Sequence, residues 1–187
     1  MNARAIHANL LTPRRTALQR VSLLLRRASA GLERIPHSAV ALLARFSIAA
    51  VFWNSGQTKV QGFALNIASG DFQFGWPRLS DSAVALFREE YRLPLLPPET
   101  AAGLAAGAEH LFPLLLLAGL ATRFSALALL GMTLVIQLFV YPGAYATHGT
   151  WAAVLLYLAA RGPGALSIDH WLARPEAAWT RPGLRAQ

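Results

Sequence analysis

Thr100 to Ala121 forms an apolar run whose only ionisable residues, Glu109 and His110, stand side by side at its middle. A run of about 20 apolar residues in a helix is long enough to cross the hydrocarbon core of a bilayer. A helix or a closed barrel alone can satisfy its own backbone there. A carboxylate and an imidazole at that depth cost several kcal/mol, so they are expected to face the interior of a helix bundle, with a partner or a task. The pair restricts the fold more than any other feature, but it names no reaction.

The rest of the composition agrees with a membrane chain. Hydrophobic residues make up 55% of the 187 residues and charged residues 14%, against about a quarter charged in soluble domains. The net charge is +8, and its placement argues against nucleic acid as a partner. Seven arginines (Arg4, Arg14, Arg15, Arg20, Arg26, Arg27 and Arg34) precede residue 38, and four (Arg161, Arg174, Arg181 and Arg185) lie at or beyond residue 161. Arginines flanking apolar spans set orientation and meet lipid headgroups. The chain has no cysteine, which excludes disulfides, thiol redox chemistry, thiolate metal ligation and covalent haem attachment within it.

Four spans are predicted, at about 38–60, 98–121, 124–141 and 144–160. The fold class is therefore an all-α membrane protein, a four-transmembrane-helix bundle. The positive-inside rule places both termini in the cytoplasm, N-in and C-in. Before the bundle, residues 1–37 form a basic amphipathic segment, with Leu18, Val21, Leu25, Ala28 and Leu32 at spacings of three and four. It is expected to lie on an anionic membrane face as a retained anchor. Residues 38–172 form the membrane domain and 173–187 a cytoplasmic tail. The 61–97 connection reads as a loop, with Phe63, Phe72, Phe74 and Trp76 at the membrane interface. It is followed by a short helix over 82–93, capped by Ser80-Asp81 and stopped by Pro94.

The candidate buried polar site comprises Arg45, Asn54, Lys59, Glu109, His110, Gln137 and His148. In the first span Arg45, Ala49, Phe52, Gly56 and Lys59 follow spacings of 4, 3, 4 and 3 and so share one face. Arg45 and Lys59 are thus both candidate counter-charges for Glu109. Gly56 and the Gly103-xxx-Gly107 pair are expected to pack helices, with His110 on the same glycine-lined face. Pro113 lacks the amide that would bond the carbonyl of Glu109, which leaves that carbonyl free beside the carboxylate. His110, His148 and Glu109 are weak candidates for metal ligands, without the close ligand spacing of a secure metal site. Only His110 lies securely within a span, which argues against haem.

Arg45 with Phe52-Trp53-Asn54-Ser55-Gly56-Gln57-Thr58-Lys59, then Ala118-Gly119-Leu120-Ala121-Thr122-Arg123, then Arg161-Gly162-Pro163-Gly164-Ala165-Leu166-Ser167-Ile168-Asp169 resemble the DoxX family over about residues 38–172. The resemblance implies a small four-helix membrane protein of bacteria or archaea, and a multi-pass place in the bacterial cytoplasmic (inner) membrane. The family takes its name from a small subunit of an archaeal terminal quinol oxidase, also linked to thiosulfate:quinone oxidoreduction. The implied role is an accessory subunit of a quinone-linked membrane redox complex, with no catalytic activity of its own expected. Its candidate ligand is a quinone, and its partners are the bilayer and another membrane protein or a second copy. Residues 87–99 and 108–113 resemble a bacterial subgroup found beside genes for metal-binding modified peptides, which implies a copper or zinc stress role as the alternative. A structural scaffold without activity is the third reading.

Overall fold

A computed structural model describes residues 17–66 and 69–173. The expectations for residues 1–16 and for the tail beyond Ala173 lie outside the described residues. Helix α1 (Ala17–Leu32) belongs to an N-terminal unit that ends at Pro36, and a second unit begins at His37. On α1, Val21, Leu24, Leu25 and Leu32 share one side and are all more than half exposed, while helical spacing turns Arg20, Arg26 and Arg27 away from it.

The second unit opens with α2 (His37–Gln57), whose buried residues Ala41, Arg45, Ile48, Ala49, Phe52 and Gly56 form one stripe. Two strands follow, β1 (Val60–Asn66) and β2 (Asp71–Leu79), and then a short helix α3 (Asp81–Leu86). The long helices resume with α4 (Pro98–Ala118) and α5 (Thr122–Val135, prolonged by a π-turn over Ile136–Val140). Next comes α6 (Tyr145–Arg161), and a single turn, α7 (Ile168–Leu172), closes the described chain. Small residues let the helices approach: Ala41, Ala49 and Ala126 pack with Ile48, Phe52, Leu116, Leu129, Leu155 and Leu158 in one core.

The outer surface of these helices is apolar as well. Leu43, Phe46, Leu104, Leu111, Leu114, Phe124, Leu127, Leu134 and Leu138 are all half exposed or more. Each would forgo about 1.5–3 kcal/mol of burial if water covered it, so lipid is the surrounding solvent. Three helical stretches, His37–Gln57, Pro98–Ala118 and Thr122–Val140, are long and apolar enough to cross a membrane. The protein is a multi-pass membrane protein in contact with the bilayer. The fourth expected span coincides with α6, which at 17 residues is shorter than the other three.

The all-α expectation fails between the first two spans. Residues 60–79, read above as a loop, form an antiparallel hairpin, with Phe63 opposite Phe74 and Leu65 opposite Phe72 on one face. Ala64 opposite Gln73 and Asn66 opposite Asp71 make the other face. The alternation of period two is present in the sequence, but Gly62, Gly70, Gly75 and Pro77 interrupt it. Gly62 and Gly75 mark a bulge where the strands touch: a Cβ on Gly75 would stand 2.5 Å from the Gly62 carbonyl oxygen. The helix expected over 82–93 is divided. Ser80 caps α3 by accepting from the Ala83 amide at 3.1 Å, a π-turn covers Phe87–Tyr91, and Arg92 is left-handed at φ 44°.

Helix α4 begins with Pro98 in its first turn and ends at Gly119, which is left-handed at φ 66°. Its packing face is Ala102, Ala106, Glu109, Pro113 and Leu116. Gly103 and Gly107 do not pack helices. Both are exposed, with nothing within 4 Å of an added Cβ, because they lie one residue round the helix from Ala102 and Ala106. The glycine of close approach is Gly56, where a Cβ would stand 2.9 Å from the His110 ring and 3.1 Å from the Glu109 Cβ.

Candidate functional site

Helices α2 and α4 bring Lys59 and Glu109 together in the interior. Only 6% of the lysine side chain and 4% of the glutamate side chain is exposed, and Nζ lies 2.7 Å from Oε2. Ser55, one turn before Lys59, joins both. Its hydroxyl accepts from Nζ at 3.0 Å and donates to Glu109 Oε1 at 3.1 Å. The Ser55 carbonyl accepts from Nζ as well, at 3.2 Å. Three acceptors match the three hydrogens of an ammonium, so the donors of Lys59 are fully engaged. Glu109 Oε2 takes no hydrogen bond beyond the ion pair, so acceptor capacity remains on the carboxylate.

His110, next in sequence, belongs to a different network. Gln57 Oε1 accepts from the Leu65 amide at 2.7 Å, which turns Gln57 Nε2 toward His110 Nε2 at 2.8 Å. His110 Nε2 is then the acceptor, and Nδ1 carries the hydrogen and donates to the Ala106 carbonyl at 2.7 Å. Trp53 donates to the Leu65 carbonyl at 2.9 Å and packs edge-on against the His110 ring. Both imidazole nitrogens are engaged in tying α2, α4 and β1 together.

The remaining expected site residues do not converge on Glu109. Gln137 and His148 pair with each other, His148 Nδ1 lying 2.8 Å from Gln137 Oε1 while Gln137 Nε2 donates to the Pro142 carbonyl at 2.6 Å. Asn54 is exposed and borders a groove on the flank of the bundle. Arg45 is buried near the start of α2, where it donates to the Leu116 carbonyl at 3.3 Å and to the Leu166 carbonyl. Among the described residues no three His, Asp or Glu side chains gather as a metal site requires.

Lys59, Glu109 and Ser55 form the polar floor of a cavity of about 340 Å³. Its walls are apolar, with Phe87, Leu104, Met132 and Ile136 among them, and Tyr91 is the one further polar side chain on the lining. The two π-turns meet at this cavity, since Phe87 and Tyr91 belong to one and Ile136 and Val140 to the other. Tyr91 packs edge-on against Tyr141 with ring centroids 5.8 Å apart, and the Tyr141 hydroxyl donates to Glu90. Burial raises the Tyr91 hydroxyl above its ordinary range, helped by the charges of Glu109 and Glu90 and opposed by Tyr141. The bond to Glu90 raises Tyr141 well above the ordinary tyrosine range.

The family model for DoxX matches residues 40–142. The chain belongs to the DoxX family. No curated protein and no solved structure matches it. The matched region contains Ser55, Lys59, Glu109 and every residue lining the cavity.

In this DoxX protein the Gly-Leu-Ala-Thr-Arg turn and the Arg-Gly-Pro-Gly stretch that follows α6 form a second polar cluster, which sequence reasoning did not assemble. Asp169 accepts from the Ala121 and Thr122 amides at 2.7 and 2.9 Å, so a distant carboxylate caps the first turn of α5. Arg123 donates to the carbonyls of Ala159 and Ala160 at 2.8 and 3.0 Å and thereby caps the end of α6. The Asp169 amide donates to the Gly119 carbonyl at 2.8 Å, and the Ser38 hydroxyl accepts from the Ala165 amide at 2.9 Å. A side chain at Gly119 would strike Arg45 and Ser167. The signals for this cluster were the two motifs at 118–123 and 161–169, with their glycines and charges at helix ends.

Proposed function

We propose that this DoxX protein is an accessory, non-catalytic subunit of a quinone-linked redox complex in the bacterial cytoplasmic membrane. Its cavity would seat the ring of a membrane quinol on Glu109. One observation carries this reading: an apolar cavity that opens on the lipid-facing side of the bundle beside Leu104, with a Lys59–Ser55–Glu109 floor whose donors are spent and whose carboxylate still accepts. A quinol hydroxyl would donate to Glu109 once the carboxylate turns its buried Oε2 toward the cavity. A quinone carbonyl must first displace a Lys59 bond, the longest being that to Ser55 at 3.2 Å. The walls accept an apolar ring and tail. A bound quinone would supply two-electron, two-proton redox chemistry, which is assigned to a partner subunit, while this chain binds, orients and excludes water. His110, engaged with Gln57 and Ala106, has a positioning role.

The same reading keeps both termini in the cytoplasm and lets α6 cross as the fourth span. The four residues 141–144 join it to the end of the third span, and its contacts with α5 make the two neighbours.

The test is the lipid extract of protein purified in mild detergent, analysed by chromatography, together with binding of a short-chain benzoquinol and its oxidised form. Copurified quinone, tighter binding of the reduced form, and loss of that preference in Glu109→Gln are expected. Absence of quinone from the extract, with neither form binding wild-type protein, defeats the reading.

A further inference from the structure

The β1–β2 hairpin carries an apolar face that the bundle does not cover. Pairing places Phe63, Leu65, Phe72 and Phe74 on one side and Ala64, Asn66, Asp71 and Gln73 on the other. Trp76 lies in the bulge, beyond the paired register of this face. Phe72, Phe74 and Trp76 are 52, 82 and 84% exposed, an unusual display for a two-stranded sheet, which is marginal in water by itself.

The orientation of this face is fixed. The amide and carbonyl of Leu65 are bonded to Gln57 and Trp53 of α2, at 2.7 and 2.9 Å. The outer edge of β1 is therefore held by the first span, only three residues beyond its end, and the hairpin cannot turn freely about its own axis. Its apolar side is also continuous with the flank of the bundle. Leu65 borders a groove of about 310 Å³ shared with Phe46, Trp53 and Leu114, into whose edge Asn54 and Asn66 bring polar groups. Phe46 and Leu114 are exposed residues of two membrane-crossing helices, so the medium that covers them reaches Leu65.

We propose that the hairpin is a lipid-seated paddle, with its Phe63, Leu65, Phe72 and Phe74 face in the headgroup–acyl boundary of the adjacent leaflet and a bilayer lipid in the groove under Leu65. Aromatic side chains favour this depth, where the ring is apolar and the backbone stays near water. Asp71 and Gln73 face the aqueous side. The paddle is independent of what occupies the cavity.

Because the chain has no cysteine, single cysteines report cleanly. Phe74→Cys and Gln73→Cys carry a nitroxide, in nanodiscs of phosphatidylethanolamine and phosphatidylglycerol holding one protein each. Their relaxation is read against oxygen, which partitions into lipid, and against a water-soluble nickel chelate. Position 74 is expected to favour oxygen and position 73 nickel, each several-fold. Phe72→Cys serves as the second lipid-side probe should Phe74→Cys fold poorly. Equal nickel access at 73 and 74 would place the hairpin in water and overturn the proposal. So would shielding of 74 from both agents that appears only in discs holding two copies, which would assign the face to a second chain.

Discussion

Lys59, Ser55 and Glu109 satisfy one another, so changing one strands the others in a medium that solvates charge poorly. Breaking a buried ion pair by removing one partner costs about 3–5 kcal/mol, whereas replacing both with apolar groups is often neutral or stabilising. Glu109→Leu is therefore expected to lower thermal stability in detergent sharply, and Lys59→Met added to it to restore most of the loss. Melts of the two single variants and the double variant measure this. Stability equal to wild type in all three would show that the pair contributes nothing. Part of this site was legible in the sequence. The spacing from Arg45 to Lys59 offered two counter-charges for Glu109, and only the bonds of Arg45 to Leu116 and Leu166 separate them. Ser55 was hidden because a serine one turn from a lysine is unremarkable until a carboxylate faces both. Gly103 and Gly107 misled because a small-xxx-small pattern states a spacing but not which side of the helix meets a neighbour. Gly56 carries that contact alone.

Among the elements, the helix ends are held by residues remote in sequence. Asp169 supplies the carboxylate that the first turn of α5 lacks locally, since Ala121 in the capping position has no side-chain acceptor. Asp169→Ala is expected to cost roughly 1–2 kcal/mol, the usual value of an N-cap, and to speed hydrogen exchange at the Ala121 and Thr122 amides first. The two π-turns are joined by Tyr141 and Glu90. Folding raises the Tyr141 hydroxyl above its ordinary value, so the stability it contributes is complete below about pH 10 and is lost as pH rises through the folded value. At about pH 11, wild type and Tyr141→Phe should therefore show the same tyrosinate absorbance, although the variant has one tyrosine fewer. A larger wild-type signal would mean that the bond to Glu90 does not hold. The helices were legible because long apolar runs leave the backbone no alternative in lipid. The hairpin was not, because glycines and a proline broke its alternation and its pairing depends on side chains of α2.

For the whole molecule, lipid-facing leucines and phenylalanines on every long helix make the bilayer part of the folded state. Helix α6, read as the fourth span, is about 25 Å long at 1.5 Å per residue, against a hydrocarbon core of about 30 Å. Mismatch costs fractions of a kcal/mol per ångström. The thermal midpoint should therefore be higher in short-chain than in long-chain phosphatidylcholine, and a flat response across chain lengths would remove α6 from the spanning set. A mostly helical membrane protein was readable from composition and the apolar runs, and the cavity was not, because fifteen residues from α2 and the turn after it, the 87–96 connection, α4 and the third span build it together. The cluster of Arg45, Arg123 and Asp169 bears on how the protein is made. Helices α2, α4 and α5 leave the ribosome before Ala165 and Asp169 do, so the cap of α5 and the tie to Ser38 form only after the chain through Asp169 has been made.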